Sequence, residues 1–364
     1  MWIDRTLPMS GAPRFVVTLR AARAVRKCEG ILAQSWLRPQ EAKYGFAHWP
    51  LDVKAAAGAG TGMFALWIPV TIAAAFLQNL RSAMQKAIKG RLSTTGAAYA
   101  RFFYAWPFAL LYLWGLARFG GYELPTPNAL FFVYCALGGL AQILFTVVLL
   151  WMFSFRSFAV GTTFSKLEVV LIAALGALLL GDTIGPWAIL AIGIGAVGTV
   201  ILSLTESKLT VGGLVRGMAD KVTLVGLLCA ALLGASVVFF RGAALALDGP
   251  DFAIAAAYAL SVALIMQTLM MGAWFLLRDR DELRRVIAEW RHALPVGIVG
   301  MLTSVGWFTA FTLQNAAYVR ALGQIELVFT FLAGAFVFGE RVSRSEVAGI
   351  ALIVCAIIMI LLAR

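Results

Sequence analysis

The chain is 364 residues long, 61% hydrophobic and only 13% charged, with a mean hydropathy of +0.87. A soluble domain carries about 25% charged residues, so this chain lacks the polar surface to cover a water-soluble globule, and its bulk faces lipid. The net charge of +12 points to no nucleic-acid partner, because Lys and Arg gather between apolar runs and form no basic stripe with interleaved aromatics.

Residues 1–62 form a basic tail with nine Lys and Arg. It has no continuous apolar core before a small-residue cleavage site, so it does not read as a signal peptide. It reads instead as a disordered or peripheral segment, or as the product of a misassigned start, since Met63 opens the first apolar run directly.

From there the chain predicts ten membrane helices, each an apolar run of about 20 residues. They fall at 63–82, 98–117, 129–154, 157–181, 184–205, 222–243, 252–277, 293–316, 319–339 and 345–363. The connectors Gly181–Pro186 and Gly339–Ser343 pair a glycine exit with a charged turn, which suits tightly joined antiparallel helices. The longer connector 206–221 reads as a linker between halves. The other, RDRDELRRVIAEWRH at 278–292, reads either as a short amphipathic surface helix or as a solvated loop.

Connectors after odd-numbered runs hold seventeen Lys and Arg, Arg81, Arg101 and Lys166 among them, against four on the other face: Arg118, Arg241, Arg320 and Arg364. The positive-inside rule then puts the core's termini outside, whereas the basic tail would hold the N-terminus inside.

Cys28, Cys135, Cys229 and Cys355 are scattered singly, and His48 and His292 lie outside the apolar runs. They imply neither a disulfide frame nor a metal site. The cysteines in apolar runs read as small buried residues.

A repeat organises the whole. At an offset of 158, Ser165-Lys166-Leu167-Glu168 falls on Gly323-Gln324-Ile325-Glu326, Gly176 on Gly334, Gly181 on Gly339 and Asp182 on Glu340. The shared pattern is E-x7-G-x4-G followed by an acidic residue. An offset of 159 sets Ala97–Ala100 on Ala256–Ala259, and one of 160 sets Arg81 on Arg241. Residues 63–205 and 222–364 are therefore two copies of one five-helix unit. Five is odd, so the copies lie upside down relative to each other. The predicted fold is an all-α membrane protein of ten transmembrane helices in two inverted five-helix repeats, with a substrate site near the midplane between them.

The duplicated stretch LEVVLIAALGALLLGDTIGPWAILAIGIGAVG, its copy IELVFTFLAGAFVFGERVSRSEVAGIALIVCAIIM, and the Arg101 within YARFFYAWPF resemble the drug/metabolite transporter superfamily, and within it the EamA-like ten-span members. The resemblance covers about residues 63–364. It implies a basket of ten helices that exports or exchanges small metabolites, with both termini in the cytoplasm. Leu260, not an arginine, stands opposite Arg101 in the second copy, so the halves have diverged there.

A charge inside a span costs about 2.5–3.5 kcal/mol and flags function by default. Glu168 and Glu326 each precede thirteen uncharged residues, about 20 Å of helix, which sets each carboxylate about 10 Å into a 30 Å core. There it can carry a proton or meet a cationic group on a substrate. The alternative is a helix N-terminus, where a carboxylate favours the dipole. Gln78, Asn79, Gln142, Gln267, Gln314, Asn315 and Gln324 also lie at membrane depth, where amides either glue helices together or read a polar substrate. Trp106, Trp151 and Trp307 are candidate cavity walls, and Arg101 either binds an anionic group or anchors its helix. Gly193, Gly195, Gly198 and Gly349 fit close helix packing.

The sequence thus predicts a secondary active transporter in the cell (inner) membrane. Its site candidates are Glu168, Glu326, Gln78, Arg101, Gln142, Gln314, Gln324 and Trp307. A non-transporting structural or accessory membrane protein is the alternative. An intramembrane enzyme is disfavoured, because no Ser-His pairing, HExxH, G-x-S-x-G or intramembrane acidic doublet is present. No phosphate-binding GxxxxGK motif appears, and the glycine run follows no strand, so no cofactor is implied. The expected partners are a small-molecule substrate and the bilayer, and a homodimer is allowed.

Overall fold

In a computed structural model of the chain, the described residues are 63–88, 90–152, 163–206, 221–248, 251–332, 335–336 and 342–362. The expectations for the tail 1–62, for the interior of the linker and for the Gly339-Glu340-Arg341 exit lie outside them. The described residues are helical, with no strand.

In chain order the helices are α1 (Met63–Ile88), α2 (Thr94–Phe103), α3 (Trp106–Phe119), α4 (Ala129–Met152), α5 (Glu168–Leu180), α6 (Pro186–Glu206), α7 (Lys221–Leu245), α8 (Phe252–Arg278), α9 (Arg280–Ala288), α10 (Trp290–Leu313), α11 (Ala316–Gly323), α12 (Ile325–Leu332) and α13 (Arg344–Leu362). A helix underlies each of the ten apolar runs. Seven are individually long and apolar enough to cross a membrane: α4, the Thr163–Leu180 stretch ending in α5, α6, α7, α8, α10 and α13.

The predicted run 98–117 is broken. Pro107 stands in the first turn of α3, where a missing N–H costs nothing, and the chain turns at Tyr104 and Ala105. Gly297 of α10 permits this break to pack: a Cβ there would lie 2.4 Å from the Tyr104 Cβ. The run 319–339 is broken in the same manner between α11 and α12, at Gln324. In the run 157–181 the helix turns at Lys166 and Leu167, so α5 begins at Glu168.

The segment 278–292 is a helix, α9, and not a loop. Its N-cap Asp279 accepts from the Glu282 N–H at 3.0 Å. Glu282 is fully buried although it lies on the most polar helix of the molecule. Its carboxylate accepts from the Ser93 N–H at 2.7 Å and pairs with Arg285 at 2.8 Å, which fastens α9 to the start of α2.

Two apolar cores hold the bundle. One gathers α2, α3, α4, α7, α8 and α10 around Phe102, Phe131, Leu260 and Phe275. The other gathers α1, α5, α6, α10, α11 and α13 around Ile172, Leu322 and Ile353. The closest pairings are α4 with α7, α1 with α10 and α6 with α13. At the last crossing a Cβ on Gly198 would meet the Gly349 carbonyl at 2.8 Å, so the two helices touch backbone to backbone. Leu111, Trp114, Leu178, Trp187, Ile189 and Leu277 are exposed, an apolar outer surface suited to lipid. Cys135 and Cys229 are buried as expected, but Cys355 is exposed.

Candidate functional site

The helix breaks surround one cavity of about 400 Å³. Gln78 and Arg81 reach it from α1, Arg101 from α2, Gln142 from α4, Glu168 from α5, Gln267 from α8, Trp307 from α10, Arg320 from α11 and Glu326 from α12. Six of the eight candidates therefore share a single space. Both glutamates stand in the first turn of a half-helix that follows a break. The helix-terminus reading and the cavity reading thus hold together: the helix dipole favours the carboxylate, and the break turns it inward.

A continuous polar chain links the two glutamates. Glu168 forms an ion pair with Arg320. The Arg320 guanidinium lies 4.9 Å from the centre of the Trp307 ring, a cation–π contact. The Trp307 indole N–H donates to the Gln78 side-chain oxygen at 2.9 Å, and the Gln78 amide donates to the Glu326 carboxylate. Trp307 is held flat against Phe311, with 5.6 Å between ring centres and 19° between planes. Gly323 makes room for it, since a Cβ there would lie 2.6 Å from the indole ring. Asn79 donates to the Glu326 carbonyl at 2.9 Å and so secures the start of α12.

Across the cavity, the Gln267 amide donates to the Gln142 side-chain oxygen at 2.5 Å. Gln267 is buried, so its amide requires this partner.

Gln314 and Gln324 are not in the cavity. Gln314 ends α10 in extended backbone, and its side-chain oxygen accepts from the Asn315 N–H at 2.8 Å. Gln324 sits at the α11–α12 break and turns outward, accepting from the Thr199 hydroxyl of α6 at 3.0 Å. Asn315 caps α11, accepting from Ala317 N–H at 2.8 Å. Trp151 is exposed and Trp106 packs against a core, so neither walls the cavity.

Arginines expected in connectors are corrected by their burial. Arg81 is buried, Arg320 is largely shielded beside Glu168, and Arg241 is fixed by Asp182 at 3.3 Å and by the Phe311 and Gln314 carbonyls. Arg101 lines the cavity and does not anchor a helix end at the interface. These four belong to the bundle's interior; the excess of basic residues on the odd connectors persists without them. Lys166 is exposed at the edge of the same cavity. Among the described residues, no three His, Cys, Asp or Glu side chains gather closely enough to hold a metal ion.

Residues 221–362 match the EamA-like transporter family. Twenty-five solved chains resemble the fold. One crystal structure superposes with a TM-score of 0.60 over 83% of this chain and 97% of its own, at 17% identity; at that identity the likeness speaks for the fold alone. No curated protein matches the sequence. The seven apolar helices make this a multi-pass membrane protein, and residues 221–362 of it are EamA-like.

Proposed function

We propose that the whole chain, EamA-like over residues 221–362, is a secondary active transporter that exports or exchanges small metabolites across the cell (inner) membrane, with its substrate in the 400 Å³ cavity. Ten helices in two inverted repeats, 63–205 and 222–364 joined by 206–221, would build it. The observation that carries the reading is that Glu168 and Glu326, set on each other by the 158-residue offset, line one cavity.

Packing supports the repeat. Exchanging the halves turns the α1–α10 pairing into α7–α4, and both pairings occur. It maps α6–α13 onto itself, and likewise the contact of α8 with α2 and α3, and these too occur. Discontinuous helices whose N-termini meet at a site are a recurrent device of secondary transporters. α5 and α12 supply two such ends.

The chemistry follows from the polar chain. Glu168 can release Arg320 only if another anion takes its place or a proton neutralises it. Glu326 accepts from a neutral amide, and its charge also acts on Arg81 and Arg320, so a proton taken up there loosens its hold on both. Either event changes which groups across the α10–α11 wall remain bonded, and so couples occupancy of the cavity to the helices around it. With no nucleotide-binding motif in the sequence, a gradient or a counter-substrate must supply the energy.

The test is flux in proteoliposomes, with and without a proton gradient, for wild type, Glu168→Gln and Glu326→Gln. The expected outcome is loss of flux in at least one variant that still inserts and folds. Unchanged flux in both would reduce the glutamates to helix-end fixtures. No flux from wild type would favour an accessory membrane protein.

A further inference from the structure

We infer that the substrate of this cavity is a small organic anion, whose carboxylate or phosphate is taken by Arg101 and Arg81; the inference rests on the transporter reading and narrows it. Among the described residues, the charged groups facing the cavity are three guanidiniums, Arg81, Arg101 and Arg320, with Lys166 at its edge, against two carboxylates, Glu168 and Glu326. Arginine stays charged at any physiological pH, so the wall carries more positive than negative charge even with both glutamates ionised.

The two carboxylates are already engaged. Glu168 is committed to Arg320. Glu326 is held by Gln78. Arg81 and Arg101 have no ion-pair or hydrogen-bond partner among the described residues, and the Arg81 Nε is buried with nothing to receive its proton. The Arg101 guanidinium lies over the neighbouring Phe102 ring, 4.8 Å from its centre.

The two free arginines address one place. A Cβ on Gly300 of α10 would lie 3.6 Å from both the Arg101 Cγ and the Arg81 Cδ. Both side chains therefore pass close to a single glycine, and both line the same cavity. Two forked donors converging there match the paired oxygens of a carboxylate or a phosphate. An ammonium group would meet uncompensated positive charge, and a neutral molecule would leave both guanidiniums unpaired, which a low-dielectric site penalises. The rest of the wall sets the rings of Phe102, Phe240, Trp307 and Phe308 beside the amides of Gln142 and Gln267, so an aromatic frame has rings to pack against once its anionic group is taken.

The test uses five probes on one small aromatic frame: 3-phenylpropionate, phenyl phosphate, phenylalanine, phenethylamine and 2-phenylethanol. Binding to the purified full chain is measured by calorimetry, and uptake into proteoliposomes separately. One or both of the first two should bind, and the amine and alcohol should not; which anion wins tells carboxylate from phosphate. Arg101→Gln should weaken anion binding by about tenfold to a hundredfold, with Arg101→Lys between it and wild type. Equal or better binding of the amine, alcohol or zwitterion overturns the inference, as does undiminished anion binding in a folded Arg101→Gln, or no binding of any probe. Wild-type selectivity decides the matter even if the variants fail to fold. Anion binding without uptake would sink the transporter reading and leave the anion site standing; uptake favouring the amine would do the reverse.

Discussion

Arg241 and Arg81 stand at corresponding positions of the two sequence copies, and the protein treats them in opposite ways. Arg241 lies between the end of α5 and the end of α10. Its guanidinium donates to two backbone carbonyls and meets Asp182 at 3.3 Å, both side chains being 12% exposed. Arg81 lines the cavity with no hydrogen-bond or ion-pair contact among the described residues, although the charge of Glu326 acts on it. Position and residue type are shared, and only the surroundings differ. A buried cation held by a carboxylate and two carbonyls ties elements together. One left unsatisfied is available to something that comes and goes. The first kind should register in stability and the second in binding.

Arg241→Met should have the largest effect on stability. It strands Asp182 and frees the two carbonyls, and breaking a buried pair costs about 3–5 kcal/mol. A marked fall in the thermal midpoint of the detergent-purified protein would show it, and Asp182→Asn added to Arg241→Met should recover part of the loss. A midpoint left unmoved would erase the distinction between the two arginines. Arg320→Met comes next. It orphans Glu168 within the cavity and removes the cation over Trp307, so stability should fall by about 1–3 kcal/mol and flux should fall with it. Restored stability with Glu168→Gln in the same chain would confirm the pair as the cause.

Arg101→Gln sharpens the contrast from the other side. It removes a charge that no carboxylate compensates, so the thermal midpoint should hold or rise while anion binding falls. A loss of stability as large as that of Arg241→Met would mean that Arg101 is a structural fixture. The smallest effect is expected for the amide pair. Gln267→Met alone should cost about 1–3 kcal/mol by stranding Gln142, whereas Gln142→Met and Gln267→Met together should be nearly neutral. A double-mutant cycle on thermal midpoints checks this.

Much of the fold was legible because lipid imposes a simple rule on composition. Long apolar runs became helices, Gly181 left its helix in the left-handed conformation that a glycine exit permits (φ 68°), and Gly198 and Gly349 made the close crossing expected of them. The breaks were harder. Pro107 was the unused signal for the one at Tyr104 within the run 98–117, but nothing in Gly323-Gln324-Ile325 demands a turn by itself. The site was legible in part for a geometric reason. Hydrophobicity reports depth, not direction around a helix. Gln78 and Gln324 both lie at depth, yet one faces the cavity and the other Thr199. Arg320 was hidden because it falls at the edge of its run and its partner is 152 positions away; the one available signal was the cost of an arginine inside an apolar run. Glu282 was hidden likewise, since nothing local distinguishes the one buried carboxylate of α9 from its exposed neighbours.

The crossing of α6 and α13 bears on motion. Helices that mesh through large side chains are fixed in angle, since ridges must stay in grooves. At Gly198 and Gly349 the gap left by each glycine is closed by the facing helix, with Leu352 and Ile353 over one and Leu202 over the other. The backbones bear directly on each other, as the Gly349 position lies 3.0 Å from the Gly198 carbonyl. Such a joint fixes the separation of the two helices at contact distance, and a side chain added at either glycine would act as a wedge between them.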